Sequence, residues 1–289
     1  MLTVIYRAIQ PSTGGGASQP VVRRQARPGW VAIDFAELWR YRELVVFYAL
    51  RDIKVRYKQT LLGIAWAVLQ PVLTMVVFSI FFGNLAGVPS DGIPYPIFAY
   101  CGLVPWQLFV YALTQSSNRI VEDAQVITKV YFPRLIVPLA SVIAGLVDFA
   151  ISFGALVTMM LYYDIPLGWA ILTLPLFTLL ALMAALAVGL WLSALNVRYR
   201  DVRYTIPFLA QFWLFVTPVA YSSSLVPPKW QVLYGINPMV GVVNGFRWAL
   251  LGKTPPDPML FVSVAATAVL LIGGLFYFRR MEKSFADII

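Results

Sequence analysis

Long apolar runs, separated by short charged segments, form the main pattern of this 289-residue chain. A helix needs about 20 largely apolar residues to cross a hydrocarbon core of about 30 Å. Charge-poor runs of this length predict six membrane-spanning helices, at about 61–82, 95–117, 137–162, 168–194, 204–222 and 258–278. The pattern therefore predicts an all-α integral membrane protein.

A further charge-poor segment, 224–256, does not fit this pattern because proline and glycine interrupt it. Pro227 and Pro228 open one short apolar piece, and Asn237 and Pro238 open another. Both pieces are too apolar for a free loop and too broken to span. Irregular backbone at membrane depth is tolerated where it is buried in protein or lines water. We therefore expect short re-entrant helices that form an external gate.

Basic residues are distributed unevenly between the two sides that six spans would define. Six crossings put both termini on one side, and 19 of the 22 Lys and Arg residues lie on that side. Short cytoplasmic loops of membrane proteins carry an excess of Lys and Arg. Both termini are therefore predicted to be cytoplasmic, with residues 1–32 as a flexible tail and residues 282–289 as a second tail.

An amphipathic interface helix is predicted at 33–58, before the first span. Asp34 and Glu37 have the spacing of an N-cap and its capping-box partner. The apolar residues of this segment follow the helical period, and the basic residues lie mostly elsewhere. Such a helix lies along the cytoplasmic leaflet, whose acidic lipids attract its basic residues. A basic anchor with no further role is the simpler interpretation.

The composition excludes several kinds of chemistry. Hydrophobic residues make up 60% of the chain and charged residues 12%, with a mean hydropathy of +0.76. The lack of His and the presence of one Cys exclude His-based catalysis, a Cys/His metal cluster and an internal disulfide. No G-x-x-x-x-G-K-[ST] motif occurs, so the chain has no such phosphate-binding loop for ATP. We predict no catalytic residue, metal ligand or cofactor on this chain.

Asp148 is the only ionisable residue well inside a predicted span. A carboxylate at the centre of a membrane helix costs about 2.5–3.5 kcal/mol on insertion scales. It should therefore face a neighbouring helix or water. We expect a hydrogen bond to Ser or Thr of a packed helix, in preference to a transport role.

Several aromatic residues lie inside the first and fifth predicted spans rather than at the span ends. They are Trp66, Phe78, Phe208, Phe212, Trp213 and Phe215. Phe208, Phe212 and Phe215 share one helical face. Because aromatic faces make modest stacking contacts, these rings are candidates for lining a path taken by sugars. Rings that face lipid or pack inside the protein are at least as good an interpretation.

Five segments of the chain resemble ABC-2 type permeases that export polysaccharides. At the entrance to the first span these are 37–44, 62–66 and the run Arg-Asp-Ile-Lys-Val-Arg-Tyr-Lys-Gln-Thr at 51–60. The two cytoplasmic loops contribute Ile-Thr-Lys-Val-Tyr-Phe-Pro-Arg at 127–134 and Asn-Val-Arg-Tyr-Arg-Asp-Val at 196–202. The resemblance extends from about residue 34 to the C-terminus. The family includes exporters of O-antigen, capsular polysaccharide, teichoic acid and mycobacterial galactan.

The resemblance implies the permease subunit of an ATP-driven exporter of lipid-linked polysaccharide in the bacterial inner membrane, with the ABC-2 transmembrane domain at 59–281. It implies a homodimer among membrane lipids, docked on two cytoplasmic ATPase subunits that bind the ATP and Mg, and no nucleic-acid partner. The segment 224–256 would gate the path on the periplasmic side. The residues implied at the ATPase contact are Arg51, Asp52, Arg56, Lys129, Tyr131, Phe132, Pro133 and Arg134.

Two other functions remain open. An ABC-2 permease for a drug or a lipid would have the same spans and loops. A membrane glycosyltransferase or acyltransferase would also be aromatic-rich and basic on the cytoplasmic side. The lack of His and of paired acids near the span ends argues against such an enzyme. The first loop also fits ordinary positive-inside topology with a helix that proline terminates.

Overall fold

The computed structural model describes residues 35–58, 63–252, 255 and 258–288. Within these ranges the chain forms helices, turns and irregular segments, and no β-strand. The all-α prediction is therefore confirmed for this part of the chain. The predicted tail at 1–32 and the proposed N-cap, Asp34, lie outside the described residues.

Two helices occupy the predicted interface segment, α1 (Phe35–Arg40) and α2 (Arg42–Tyr57). They are separated at Tyr41, whose φ of −96° and ψ of 17° leave the helical range. The structure therefore replaces the single predicted helix by two. The residues that α2 buries share one helical face and pack along the membrane bundle. They are Val45, Tyr48, Ala49 and Asp52.

Among the described residues, five helical segments are long and apolar enough to cross a membrane. Each falls on a predicted span. They are α3 (Gly63–Phe78), α4 (Tyr95–Glu122), α6 (Ile136–Tyr162), α7 (Leu174–Arg198) and α11 (Pro258–Ile288). α3 continues as a π-helix to Leu85, and a 3₁₀ turn at Trp169–Thr173 precedes α7. α11 continues past residue 282, so the segment expected as a C-terminal tail extends the last helix.

The fifth predicted span, 204–222, is only partly helical. The helix there, α8 (Val202–Val216), has 15 residues, which is about 22 Å at about 1.5 Å per residue. Thr217 has extended backbone because Pro218 disfavours helix in the residue before it. A sixth full-length span is therefore not confirmed, and the predicted end at 222 lies beyond the helix.

Two short helices occupy the interrupted segment 224–256, α9 (Pro228–Tyr234) and α10 (Pro238–Leu251), and their role as a re-entrant gate stays a prediction. Proline is the first residue of both helices. The N–H of a first helical residue has no partner within the helix, so proline loses no helical hydrogen bond at this position. The side chain of Asn237 caps α10 by accepting a hydrogen bond from the Met239 N–H at 3.0 Å. α10 is largely buried and packs against α4, α7 and α11.

α4 lies at the centre of the bundle and contacts α3, α6, α7, α8 and α10. Small residues allow close approach between helices in membranes. A Cβ atom on Gly245 of α10 would lie 2.3 Å from the ring of Phe177 in α7. α2 packs near the C-terminal end of α4, whereas α10 contacts its N-terminal half. We call these the α2 end and the α10 end of the bundle.

Candidate functional site

Arg51 and Asp52, which the resemblance implies at an ATPase contact, bond to the membrane bundle. Arg51 Nη2 lies 2.7 Å from Asp123 Oδ2 and 3.0 Å from Asp52 Oδ1. Arg119 of α4 also reaches Asp52, with 3.2 Å between Nη2 and Oδ1. Burial lowers the pKa of Arg51, but its hydrogen bonds to Asp123 and Asp52 outweigh burial, so the pKa is raised overall. This buried network ties α2 to the C-terminal end of α4.

Asp148 pairs with α2, not with the Ser or Thr that the sequence predicted. Arg56 Nη2 lies 2.6 Å from Asp148 Oδ2, and the Tyr57 hydroxyl donates to Asp148 Oδ1. The Arg56 guanidinium also lies 4.3 Å from the centre of the Tyr111 ring in α4. Burial raises the pKa of Tyr57, and the hydrogen bond to Asp148 raises it further, so the hydroxyl stays a donor. The prediction was wrong because α2 lies far enough along α6 to supply an opposite charge.

Three predicted coupling residues at the end of the first loop pack against other helices of this chain. Phe132 and Pro133 are buried, and the Phe132 ring lies 5.8 Å from the ring of Tyr48 in α2. The Arg134 N–H donates to Glu282 Oε1 at 3.0 Å, and its guanidinium donates to the Glu282 carbonyl. These contacts join the loop to α2 and α11.

Another part of the same loop faces outward. The loop begins with the short helix α5 (Ala124–Lys129). Lys129 is exposed, and Tyr131 has 69% of its surface exposed. The eight predicted coupling residues therefore lie together at the α2 end, but only part of the set faces outward. Their contact with an ATPase stays a prediction.

The six aromatic candidates divide into two groups. Those that are more than half exposed are Trp66, Phe208, Phe212 and Phe215. Phe78 is buried, and its ring lies 5.3 Å from that of Phe82. Trp213 is partly buried, with its ring 5.1 Å from that of Phe109. The role of all six in lining a path stays a prediction, and the first group presents its rings at the surface of this chain.

Asn237, predicted as a gate residue, connects α10 to the end of α8. Its Oδ1 accepts a hydrogen bond from Trp213 Nε1 at 2.9 Å, and its Nδ2 donates to Thr217 Oγ1 at 3.0 Å. The hydroxyls of Tyr221 and Tyr234 are 2.8 Å apart and link α9 to the same segment. The two short helices are therefore fixed to the backbone that follows α8.

Arg247 of α10 is buried at this end and has no carboxylate among its hydrogen-bond partners in the described structure. Its Nη1 donates to the carbonyls of Pro218 at 2.6 Å and Tyr221 at 3.2 Å, and its Nη2 donates to that of Val219 at 2.8 Å. The guanidinium carbon lies 3.6 Å from the centre of the Phe98 ring. Arg247 thus supplies donors to carbonyls of the irregular segment that follows α8.

The sequence model of the ABC-2 type transporter family matches residues 43–251. The chain belongs to the ABC-2 type transporter family. The match includes most of α2, the ion-pair network and both short helices at the α10 end. Family membership and the apolar helices together make this ABC-2 protein a multi-pass membrane protein.

Several ABC-2 relatives match nearly their whole length. The O-antigen export system permease protein RfbA of Myxococcus xanthus is 30% identical over 252 residues, covering 85% of this chain and 96% of that protein. An RfbA protein of Klebsiella pneumoniae is 27% identical over 86% of this chain and 95% of its own length. The polysialic acid transport protein KpsM of Escherichia coli is 24% identical over 81% and 92%.

Sequence reasoning missed three residues that organise the two ends of this ABC-2 protein. Arg119 served only as the charge that ends the second predicted span, and Asp123 had no assigned role, yet their spacing of four puts both on the side of α4 that receives α2. Arg247 counted only as one of the few basic residues on the external side. Its position between Gly245 and Trp248 in an apolar segment was the available signal, because such an Arg needs buried partners.

Proposed function

We propose that this chain is the permease subunit of an ATP-driven exporter of lipid-linked polysaccharide. The observation that carries the proposal is the similarity to the O-antigen permease of Myxococcus xanthus over 96% of that protein's length. The similarity to KpsM, a protein named for polysialic acid transport, favours the same class of cargo. The chain is a transport subunit and not an enzyme.

The exporter consists of two copies of this chain and two cytoplasmic ATPase subunits in the bacterial inner membrane. ATP and Mg bind to the ATPase, and the lack of a phosphate-binding loop in this sequence supports that division. Both chain termini are cytoplasmic, as the distribution of basic residues favours. The α2 end therefore faces the ATPase.

Motion of the ATPase reaches the spans through the ion pairs of α2. The ATPase contacts Lys129, Tyr131 and the outward side of α2. The pair between Arg51 and Asp123 then carries the displacement to the end of α4, and the Arg56–Asp148 pair carries it to α6. Hydrogen bonds between charged groups are the stronger ones and fix geometry. α2, α4 and α6 therefore move as one unit.

The transport path runs between the two copies, beside α8. α8 and the segment 217–224 together make the sixth crossing, and the carbonyls bound by Arg247 support irregular backbone at that depth. The exposed rings of Phe208, Phe212 and Phe215, with Trp66 of α3, line the path. Phe78 and Trp213 hold this wall from behind. α9 and α10 form the re-entrant periplasmic gate.

Deletion of the gene in the native bacterium tests the proposal. Surface polysaccharide should disappear, lipid-linked glycan should accumulate inside, and the intact gene should restore export. The permease purified alone should lack ATPase activity, and the ATPase should co-purify when it is co-expressed. Unchanged surface polysaccharide in the deletion strain would refute the proposed cargo.

A further inference from the structure

A polar cavity of about 220 Å³ lies between α3, α4 and α6. α4 contributes Gln107, Thr114 and Gln115 to its wall, and α3 contributes Gln70. No described residue of α8 lines it, so this cavity is separate from the exposed rings of that helix. All three helices are among those long and apolar enough to span a membrane.

Among the uncharged polar side chains of this wall, Ser152 donates to the Ala67 carbonyl at 2.8 Å, whereas the other four named above have no hydrogen-bond partner within the described part of the chain. Gln107 and Gln115 lie 15 and 7 residues before the end of α4 at Glu122, so they belong to the span and not to its edge. Polar groups at membrane depth are costly unless they meet protein, water or a ligand. The cavity is therefore suited to water or to a polar ligand.

The charges in the wall cancel. Arg56 and Asp148 both line the cavity, but they are 2.6 Å apart and neutralise each other. A phosphate would compete with Asp148 for Arg56 and would meet no other cation in the wall. Amide and hydroxyl side chains both donate and accept hydrogen bonds. This combination fits a neutral ligand that carries several hydroxyl groups.

The aromatic rings and the volume of the cavity restrict the class of ligand further. The rings of Tyr111 and Phe149 also line the cavity and offer apolar faces to a flat, partly apolar ligand. The volume of about 220 Å³ lies below the range of about 300–1,000 Å³ that is typical of sites for drug-sized molecules. It is suited to a group of the size of one sugar ring.

We infer that this cavity binds one sugar residue of the exported glycan. The inference rests on the proposed export of polysaccharide and adds a recognition site to it. The site lies beside the ion pair that attaches α2 to α6. A sugar held there is in contact with the helix pair that receives the motion of the ATPase.

Photo-crosslinking in cells that make the native glycan tests this site directly. p-Benzoylphenylalanine replaces Gln115 in the full-length chain, with the ATPase co-expressed, and the permease is purified after irradiation. Thr158, an exposed residue of α6 that bonds only to its own helix, is the control position. Mass spectrometry should find sugar attached at position 115 and not at 158. A phospholipid adduct, or a crosslink to a second copy, at position 115 would overturn the inference.

Two matched substitutions test whether the site contributes to export. Thr114→Val and Gln115→Met remove polar groups with little change of shape, whereas Thr158→Val makes the same change outside the cavity. Export per membrane-inserted permease should fall about threefold to tenfold for the first two, the size expected for loss of one neutral hydrogen bond, and stay unchanged for the third. Normal export with no sugar crosslink would overturn this site alone. Normal surface polysaccharide after deletion of the whole gene would overturn the proposed function as well.

Discussion

Asp52 has the most deeply buried side chain of the ion-pair network that joins α2 to α4. Its side chain is 3% exposed and lies 3.0 Å from Arg51 and 3.2 Å from Arg119. The substitution Asp52→Asn preserves the shape and one carbonyl acceptor but removes the charge. We expect this change to loosen α2 from α4 and to lower export.

The size of the effect follows from the two hydrogen bonds that Arg51 donates to Asp52 Oδ1, from Nε at 3.2 Å and from Nη2 at 3.0 Å, which both lose a charged acceptor. A hydrogen bond to a charged group contributes about 1.5–3 kcal/mol and a neutral one about 0.5–1.5 kcal/mol, so two conversions cost about 2–3 kcal/mol. Arg51 keeps Asp123 at 2.7 Å and Arg119 keeps Glu122 at 3.2 Å. The larger loss of about 3–5 kcal/mol for an unpaired buried charge therefore does not apply. At about 2–4 °C per kcal/mol, the melting temperature should fall by about 4–12 °C.

The assay is the apparent melting temperature of the purified permease, followed by loss of its monodisperse chromatographic peak after heating. Asp201→Asn is the matched control, because Asp201 is exposed and forms no ion pair within the described ranges. In the assembled transporter below the melting temperature, Asp52→Asn should also lower export per ATP hydrolysed. If the two variants melt at the same temperature, the buried network does not hold α2.

Three further perturbations separate the surfaces of the molecule. Tyr131→Ala should reduce ATPase co-purification severalfold at an unchanged melting temperature, since this ring is 69% exposed. Phe132→Ala should instead lower the free energy of unfolding by about 3–5 kcal/mol, because its ring is buried. Phe212→Ala should lower export with assembly intact, whereas Phe261→Ala, at a ring of α11 that is 76% exposed against 60% for Phe212, should not. Arg247→Met should lower the melting temperature by leaving three carbonyls without donors, and Arg247→Lys should restore it only in part, since an ammonium lacks the planar fork.

Each of these perturbations has a contradicting result. Full ATPase recovery with Tyr131→Ala would leave the first loop as a topology signal only. Equal losses of export for Phe212→Ala and Phe261→Ala would assign the α8 rings to general contact with lipid. A wild-type melting temperature for Arg247→Met would mean that the carbonyls after α8 find other donors.

The spans could be predicted from the sequence because the membrane imposes a minimum apolar length. This constraint placed a predicted span on each of α3, α4, α6, α7 and α11, although α11 continues to Ile288, well past the predicted end at 278. It failed at the end of α8, where no charge marks the boundary and the helix stops before Pro218. There the restriction that proline places on the preceding residue was a better guide than hydropathy.

The attachment of α2 could not be predicted, because it depends on pairs that are distant in sequence. Arg51 and Asp123 are 72 positions apart, and Tyr57 and Asp148 are 91 apart. From a single sequence, a charged residue on an amphipathic helix is expected to face solvent. Here the packed face of α2 carries Asp52 among apolar residues, and the hydrophobic period alone does not place a carboxylate on that face.

Arg247 shows how a rule about topology can conceal a structural role. Counting it among external basic residues was consistent with the positive-inside rule, and it made the residue uninformative. The structure instead places several hydrogen-bond donors there, because three carbonyls after α8 accept from one buried guanidinium. A neutral side chain of that length has fewer donors, and a carboxylate has none when ionised. The break in α8 and the arginine in α10 are therefore one feature, and a variant that straightens the break, such as Pro218→Ala, should make Arg247 dispensable.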